Sequence, residues 1–102
     1  MPTSMQVIYP ISDGTHFDMD YYLNTHMPIV AEHMGPHIQN TLVTKGLGSP
    51  GGNAPGFYAV ASMVFENQDA FDAAMKVAGP VMADVPNFTN VRPEVLIGEV
   101  IG

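Results

Sequence analysis

The sequence predicts an α+β fold, the ferredoxin-like β-α-β-β-α-β order in which one four-stranded antiparallel sheet carries two helices on one side. Three observations lead there. Short β-favouring runs occur at Met5 to Tyr9, Ile38 to Leu47, Phe57 to Phe65 and in the last fifteen or so residues. Two segments between them carry helical apolar spacing, and Gly-Pro pairs close both of those segments.

The first strand, Met5 to Tyr9, is ended by Pro10 and the turn residues Ser12-Asp13-Gly14. Asp18 stands where a helix N-cap should. At 100° per residue, Met19, Leu23, Met27, Val30 and Met34 form one apolar stripe, with Tyr22, His26, Ile29 and His33 on the stripe beside it. Pro28 removes a backbone donor and crowds the carbonyl of Asn24, so a kink, or a restart just after His26, is expected. Gly35-Pro36 ends this helix. The second strand, Ile38 to Leu47, runs into the Gly/Pro-rich loop Gly48 to Gly56. In the third, Phe57, Ala59, Ala61, Met63 and Phe65 share one face and Tyr58, Val60, Ser62 and Val64 the other, which makes both faces nearly apolar. Asn67 caps the second helix, whose face carries Phe71, Ala74, Met75 and Ala78 and on which Asp72 can pair with Lys76. Gly79-Pro80 stops it. A short turn over Val81 to Asp84 and a last strand from Phe88 to Ile101, interrupted near Pro93, complete the order. Because the helices cover one sheet face only, a second copy of the same sheet is the simplest cover for the other, and a homodimer is expected.

Composition narrows the function classes. The 102 residues hold 3 Lys+Arg against 10 Asp+Glu, a net charge of −7, while hydrophobic residues make up 46%, so the chain is a folding sequence rather than an acidic tail. A single domain over residues 1–102 is expected. Lys45, Lys76 and Arg92 are too few and too scattered to track a phosphate backbone or an anionic leaflet, which argues against nucleic-acid and membrane partners. There is no cysteine, so disulfides, thiolate nucleophiles and cysteine metal sites are excluded. The amino-terminal residues show neither a basic n-region nor a long apolar core, and a cytoplasmic location is expected.

His26 is the leading candidate for chemistry: an imidazole on an apolar helix face can act as acid or base near neutral pH. A core histidine held by one hydrogen bond is the alternative. Tyr22, one turn earlier, could orient His26 or a ligand, or stand as a core-edge tyrosine. Met27, Val30, Met63 and Phe88 are the expected apolar lining of a cleft between helix and sheet, which suits a small apolar or aromatic ligand. His26 and His33 are two turns apart and cannot readily chelate one ion, no HExxH or i, i+4 histidine pair occurs, and no metal site is expected. No GxGxxG, P-loop or GxSxG motif is present. No cofactor is expected, although one histidine suffices as an axial haem ligand, and that route stays open.

Phe17-Asp18-Met19-Asp20-Tyr21-Tyr22 leading to His26-Met27-Pro28, with Phe65, the run Met82-Ala83-Asp84-Val85-Pro86-Asn87-Phe88-Thr89-Asn90 and the ending Ile97-Gly98-Glu99-Val100, resembles the EthD family, near its reductase-labelled branch. The likeness covers nearly the whole chain. It implies a dimeric α+β barrel made of two ferredoxin-like protomers packed sheet to sheet, each with a ligand cleft between sheet and helices. The founding member is linked to catabolism of an alkyl ether, and the wider superfamily includes cofactor-free monooxygenases, isomerases, decarboxylases and haem peroxidases. No nicotinamide or flavin motif accompanies the reductase label. The family's helix-one histidine corresponds to His26, and several relatives place it in the cleft. The resulting expectation is an oxidoreductase-like or proton-transferring enzyme with His26 as acid/base and Tyr22 in support. A non-catalytic ligand-binding dimer and haem-linked oxidation are the alternatives.

Overall fold

The computed structural model describes residues 1–102. Four strands, β1 (Thr3–Pro10), β2 (Asn40–Lys45), β3 (Phe57–Phe65) and β4 (Glu94–Glu99), form one antiparallel sheet in the order β2-β3-β1-β4. This is the ferredoxin-like α+β fold, with β1 and β3 at the centre. Cross-strand register sets the faces. Met5 pairs with Met63 and Ile97, and Val7 with Ala61 and Val95, so all six point toward the helices. The close approach of Gly46 to β3 explains its lack of a side chain: a Cβ there would clash with the Phe57 carbonyl oxygen.

The first helix is one continuous rod with a change of pitch. Asp18 caps it, accepting from the Tyr21 backbone N–H at 3.1 Å. Helix α1 (Met19–Tyr21) passes into a π-helical turn (Tyr22–His26) and then into α2 (Met27–His33). The expected restart after His26 therefore takes the form of a wide turn in which Met27 N–H reaches the Tyr22 carbonyl. Pro28 falls in the first turn of α2, directly after the wide turn, where the helical hydrogen-bond pattern has already changed. The wide turn also alters which residues are buried. Tyr22, His26, Val30 and Met34 are buried at a spacing of four, whereas in a straight α-helix three such steps drift by about 120°. Leu23, expected on the apolar stripe, is turned to solvent.

Helix α3 (Gln68–Lys76) is capped by Asn67, whose side chain accepts from Ala70 N–H at 2.9 Å. Asp72 accepts from Gln68, one turn earlier, in place of the expected pairing with Lys76. Gly79-Pro80 ends the α3 segment but also opens α4 (Gly79–Asp84), because proline fits the first helical turn. A 3-10 turn (Val85–Asn87) follows. The last strand is shorter than expected: Phe88 to Val91 do not join the sheet, and β4 begins only after Pro93. Residues 88–90 are instead stitched to residues 14–18. Asp18 N–H donates to the Phe88 carbonyl at 2.7 Å, Thr89 Oγ1 to the His16 carbonyl at 2.6 Å, and Asn90 bridges His16 N–H and the Gly14 carbonyl. That stitching fixes the entry of the first helix against the segment leaving α4.

Helices α2, α3 and α4 cover one sheet face. On the other face Leu42 and Leu96 are exposed, with Ile8, Val60 and Val64 half-buried between them. No helix is long and apolar enough to cross a membrane.

Candidate functional site

The π-helical turn brings Tyr22 and His26 onto the sheet-facing side one turn apart, and their rings stack with centroids 5.6 Å apart at 17°. Phe88 lies behind the imidazole, centroid to centroid 4.5 Å. His26 is only 3% exposed, so a buried imidazole needs a polar partner, and it has one. Nδ1 lies 2.9 Å from Oδ2 of Asp84, itself 8% exposed at the end of α4. The other carboxylate oxygen accepts from the Tyr21 hydroxyl at 2.6 Å and from Asn87 Nδ2 at 2.9 Å.

This arrangement decides protonation states. Burial pushes the Asp84 carboxyl up, but hydrogen bonds from Tyr21, Asn87 and His26 outweigh it and hold the pKa below the ordinary value. Asp84 is therefore an anion at neutral pH, an acceptor only, and the hydrogen on the shared bond belongs to His26 Nδ1. Nε2 is left as the imidazole's basic nitrogen, without a protein partner. Donation to Asp84 raises the pKa of the Tyr21 hydroxyl, and burial raises that of Tyr22 to about 12. Burial, with Tyr22 as a neighbour, raises Tyr9 as well. The site thus holds one carboxylate, one imidazole and neutral phenols.

In front of His26 opens a cavity of about 470 Å³ between the helices and the sheet. Of the expected residues, His26, Tyr22, Met27, Val30 and Met63 all line it. Phe88 does not: it is fully buried as the wall that supports His26, Tyr22 and Tyr9. Exposed Met82 on α4 and Val95 and Ile97 on β4 stand at the open side. No cluster of three or more His, Cys, Asp or Glu side chains forms that could hold a metal ion.

Sequence reasoning missed Asp84, along with Tyr9, Tyr21 and Asn87. A signal for Asp84 was present: it is the one charged residue in the apolar run Ala78 to Pro86. A lone carboxylate in such a run will be partly buried and must find donors.

Fold and site together define the class: a ferredoxin-like α+β protein with a histidine-bearing apolar cavity between sheet and helices. The EthD domain family matches residues 15–92, and the chain belongs to that family. An EthD-like protein of Ralstonia eutropha JMP134 is 33% identical with a TM-score of 0.87, covering 99% of this chain and 93% of its own. An ethyl tert-butyl ether D (EthD) family protein of Bacillus halodurans C-125 is 23% identical with a TM-score of 0.79, covering 99% and 100%. SnoaB of Streptomyces nogalater, a cofactor-independent oxygenase, shares the fold at 11% identity and a TM-score of 0.68, covering 99% and 94%. Among curated proteins none matches.

Proposed function

We propose that the protein is a cofactor-independent enzyme that moves a proton on a small apolar or aromatic molecule held in the cavity. The observation that carries this reading is the 2.9 Å contact between Asp84 and His26 at the wall of an apolar cavity. Asp84 holds the Nδ1–H tautomer and stabilises the imidazolium that forms when Nε2 takes a proton. Nε2 removes a proton from the carbon beside a carbonyl, the C–H electron pair forms a carbon–carbon double bond as the C=O π pair moves onto oxygen, and the same nitrogen returns the proton to that carbon or to a conjugated one as the carbonyl re-forms. The net change is an isomerisation or an exchange, balanced without an oxidant. Tyr22, neutral and one turn away, can donate to the developing oxyanion. That the same fold houses cofactor-independent chemistry in SnoaB is an analogy of fold only.

The test is hydrogen–deuterium exchange at the α-carbon of 2-tetralone in D₂O, followed by NMR. The protein is expected to accelerate exchange, and His26→Ala to abolish the acceleration with the fold intact. An His26→Ala protein as fast as the parent would sink the assignment. The sixteen hydrophobic residues among nineteen around the cavity also suit a carrier that binds without converting. In that case ligands raise the melting temperature, yet no exchange occurs.

We also propose that the outer sheet face, with Leu42, Leu96, Ile8, Val60 and Val64, packs on the same face of a second copy. Apolar groups of this size on a sheet left bare by its own helices gain by mutual burial. Light scattering should give the mass of a dimer, and the double variant Leu42→Lys, Leu96→Lys that of a monomer.

A further inference from the structure

The cavity wall is almost wholly apolar, and one of its few polar residues is left incomplete. Tyr22 is 1% exposed, and its hydroxyl is a buried polar atom with no hydrogen-bond partner. Folding stripped water from this group and gave nothing back, which native structures rarely tolerate unless something else supplies the partner. Tyr22 is among the residues lining the cavity, so a molecule bound there is the nearest candidate for the missing partner once it reaches the covered hydroxyl. One turn along, the Asp84 bond to Nδ1 makes His26 Nε2 an acceptor. A donor and an acceptor are therefore carried on two stacked rings one helical turn apart. A ketone oxygen can answer only the donor. A hydroxyl answers both.

Charge narrows the ligand further. None of Lys45, Lys76 and Arg92 lines the cavity, whereas the Asp84 carboxylate sits directly behind His26. A carboxylate or phosphate ligand would meet no cation and a nearby anion. Six of the eight methionines, Met5, Met27, Met34, Met63, Met75 and Met82, line the same cavity. Thioethers pack well on ring edges and adapt to shape.

We propose that the cavity selects an uncharged hydroxyl-bearing aromatic ligand, a phenol or the enol of a cyclic ketone, whose oxygen bridges Tyr22 Oη and His26 Nε2 while its rings lie among the methionines. The inference rests on the cavity being the functional site. It deepens that reading by making Tyr22 the specificity-determining contact.

Three probes of one shape test it: 2-naphthol, naphthalene and 2-naphthoate, titrated by calorimetry at pH 7. The wild-type protein is expected to bind 2-naphthol about tenfold or more tighter than either of the others. Tyr22→Phe should remove about tenfold of the 2-naphthol affinity and leave naphthalene unchanged. The proposal is overturned by 2-naphthoate binding as well as 2-naphthol, by Tyr22→Phe weakening both neutral probes equally, or by no probe binding up to its solubility. The contrast among probes on the wild-type protein stands even where the variant misfolds. The enzymatic reading fails separately: selective 2-naphthol binding with no 2-tetralone exchange leaves this proposal intact and removes the other.

Discussion

Behind His26 the core is built of rings. Tyr9, Phe17, Tyr22 and Phe88 meet one another at centroid distances between 5.0 and 5.8 Å, mostly edge to face. Around Val30 and Met34 it is built of methionine, alanine and valine, with Phe65 and Phe71 forming one edge-to-face pair at its far side. Aromatic rings have few rotatable bonds and strong preferences in mutual orientation, whereas methionine has three rotatable bonds and tolerates many shapes. One half of the core can therefore hold reacting groups in place while the other adapts to the body of a ligand. The same hydrophobic effect supports both halves, and side-chain stiffness separates them.

The sharpest way to break this division is Phe88→Ala. The ring is 1% exposed and touches Tyr9, Tyr22 and His26, so its loss should cost about 3–5 kcal/mol, read from the urea midpoint. Next comes Asp84→Asn, which removes the anion that orients His26. Exchange of 2-tetralone should fall on the order of 10²-fold while circular dichroism stays native. In the adaptable half, Met34→Leu should cost less than about 1.5 kcal/mol, although Met34 is as buried as His26. A cost for Met34→Leu equal to that of Phe88→Ala would erase the distinction.

The smallest effect is that of acid. The Asp84 pKa is depressed in the folded protein, so its ionised form favours folding at pH values above the ordinary 3.8, and that contribution is lost as pH falls below 3.8 through the depressed value. Comparing urea midpoints from pH 5 to 2, the wild-type protein should lose stability relative to Asp84→Asn, which has no carboxylate to protonate at that position. An unchanged difference across that range would show that the Tyr21, Asn87 and His26 bonds give the folded carboxylate no advantage.

Local signals carried most of the fold. Asp18 and Asn67 cap their helices because a short polar side chain before an apolar repeat has a backbone donor to reach. The third strand spans Phe57–Phe65 as read, because nine alternating β-favouring residues leave little choice of register. Pro28 announced a break after His26, but not that the break would be a π-helical turn that turns Leu23 to solvent. At the site, His26 and Tyr22 were visible as polar groups on an apolar stripe. The pairing of Asp84 with His26 was not, since it joins residues 58 apart in the chain. Phe88 was expected in the cavity lining because it is large and apolar, and nothing local distinguishes a wall from what stands behind it.

The amino-acid sequence by itself determined the α+β order, the helix caps, the faces of the central strand, the placing of His26 on an apolar helix face, and the scarcity of cations. These follow from periodicity and composition, which act over a few residues. Tertiary structure alone decided which carboxylate meets that imidazole, which hydroxyl is left without a partner, and where the cavity opens. Each of these depends on how α4 and the turn after it are stitched back to the start of the first helix. Hydrogen bonds between segments more than 70 residues apart make that connection, and no local pattern encodes them.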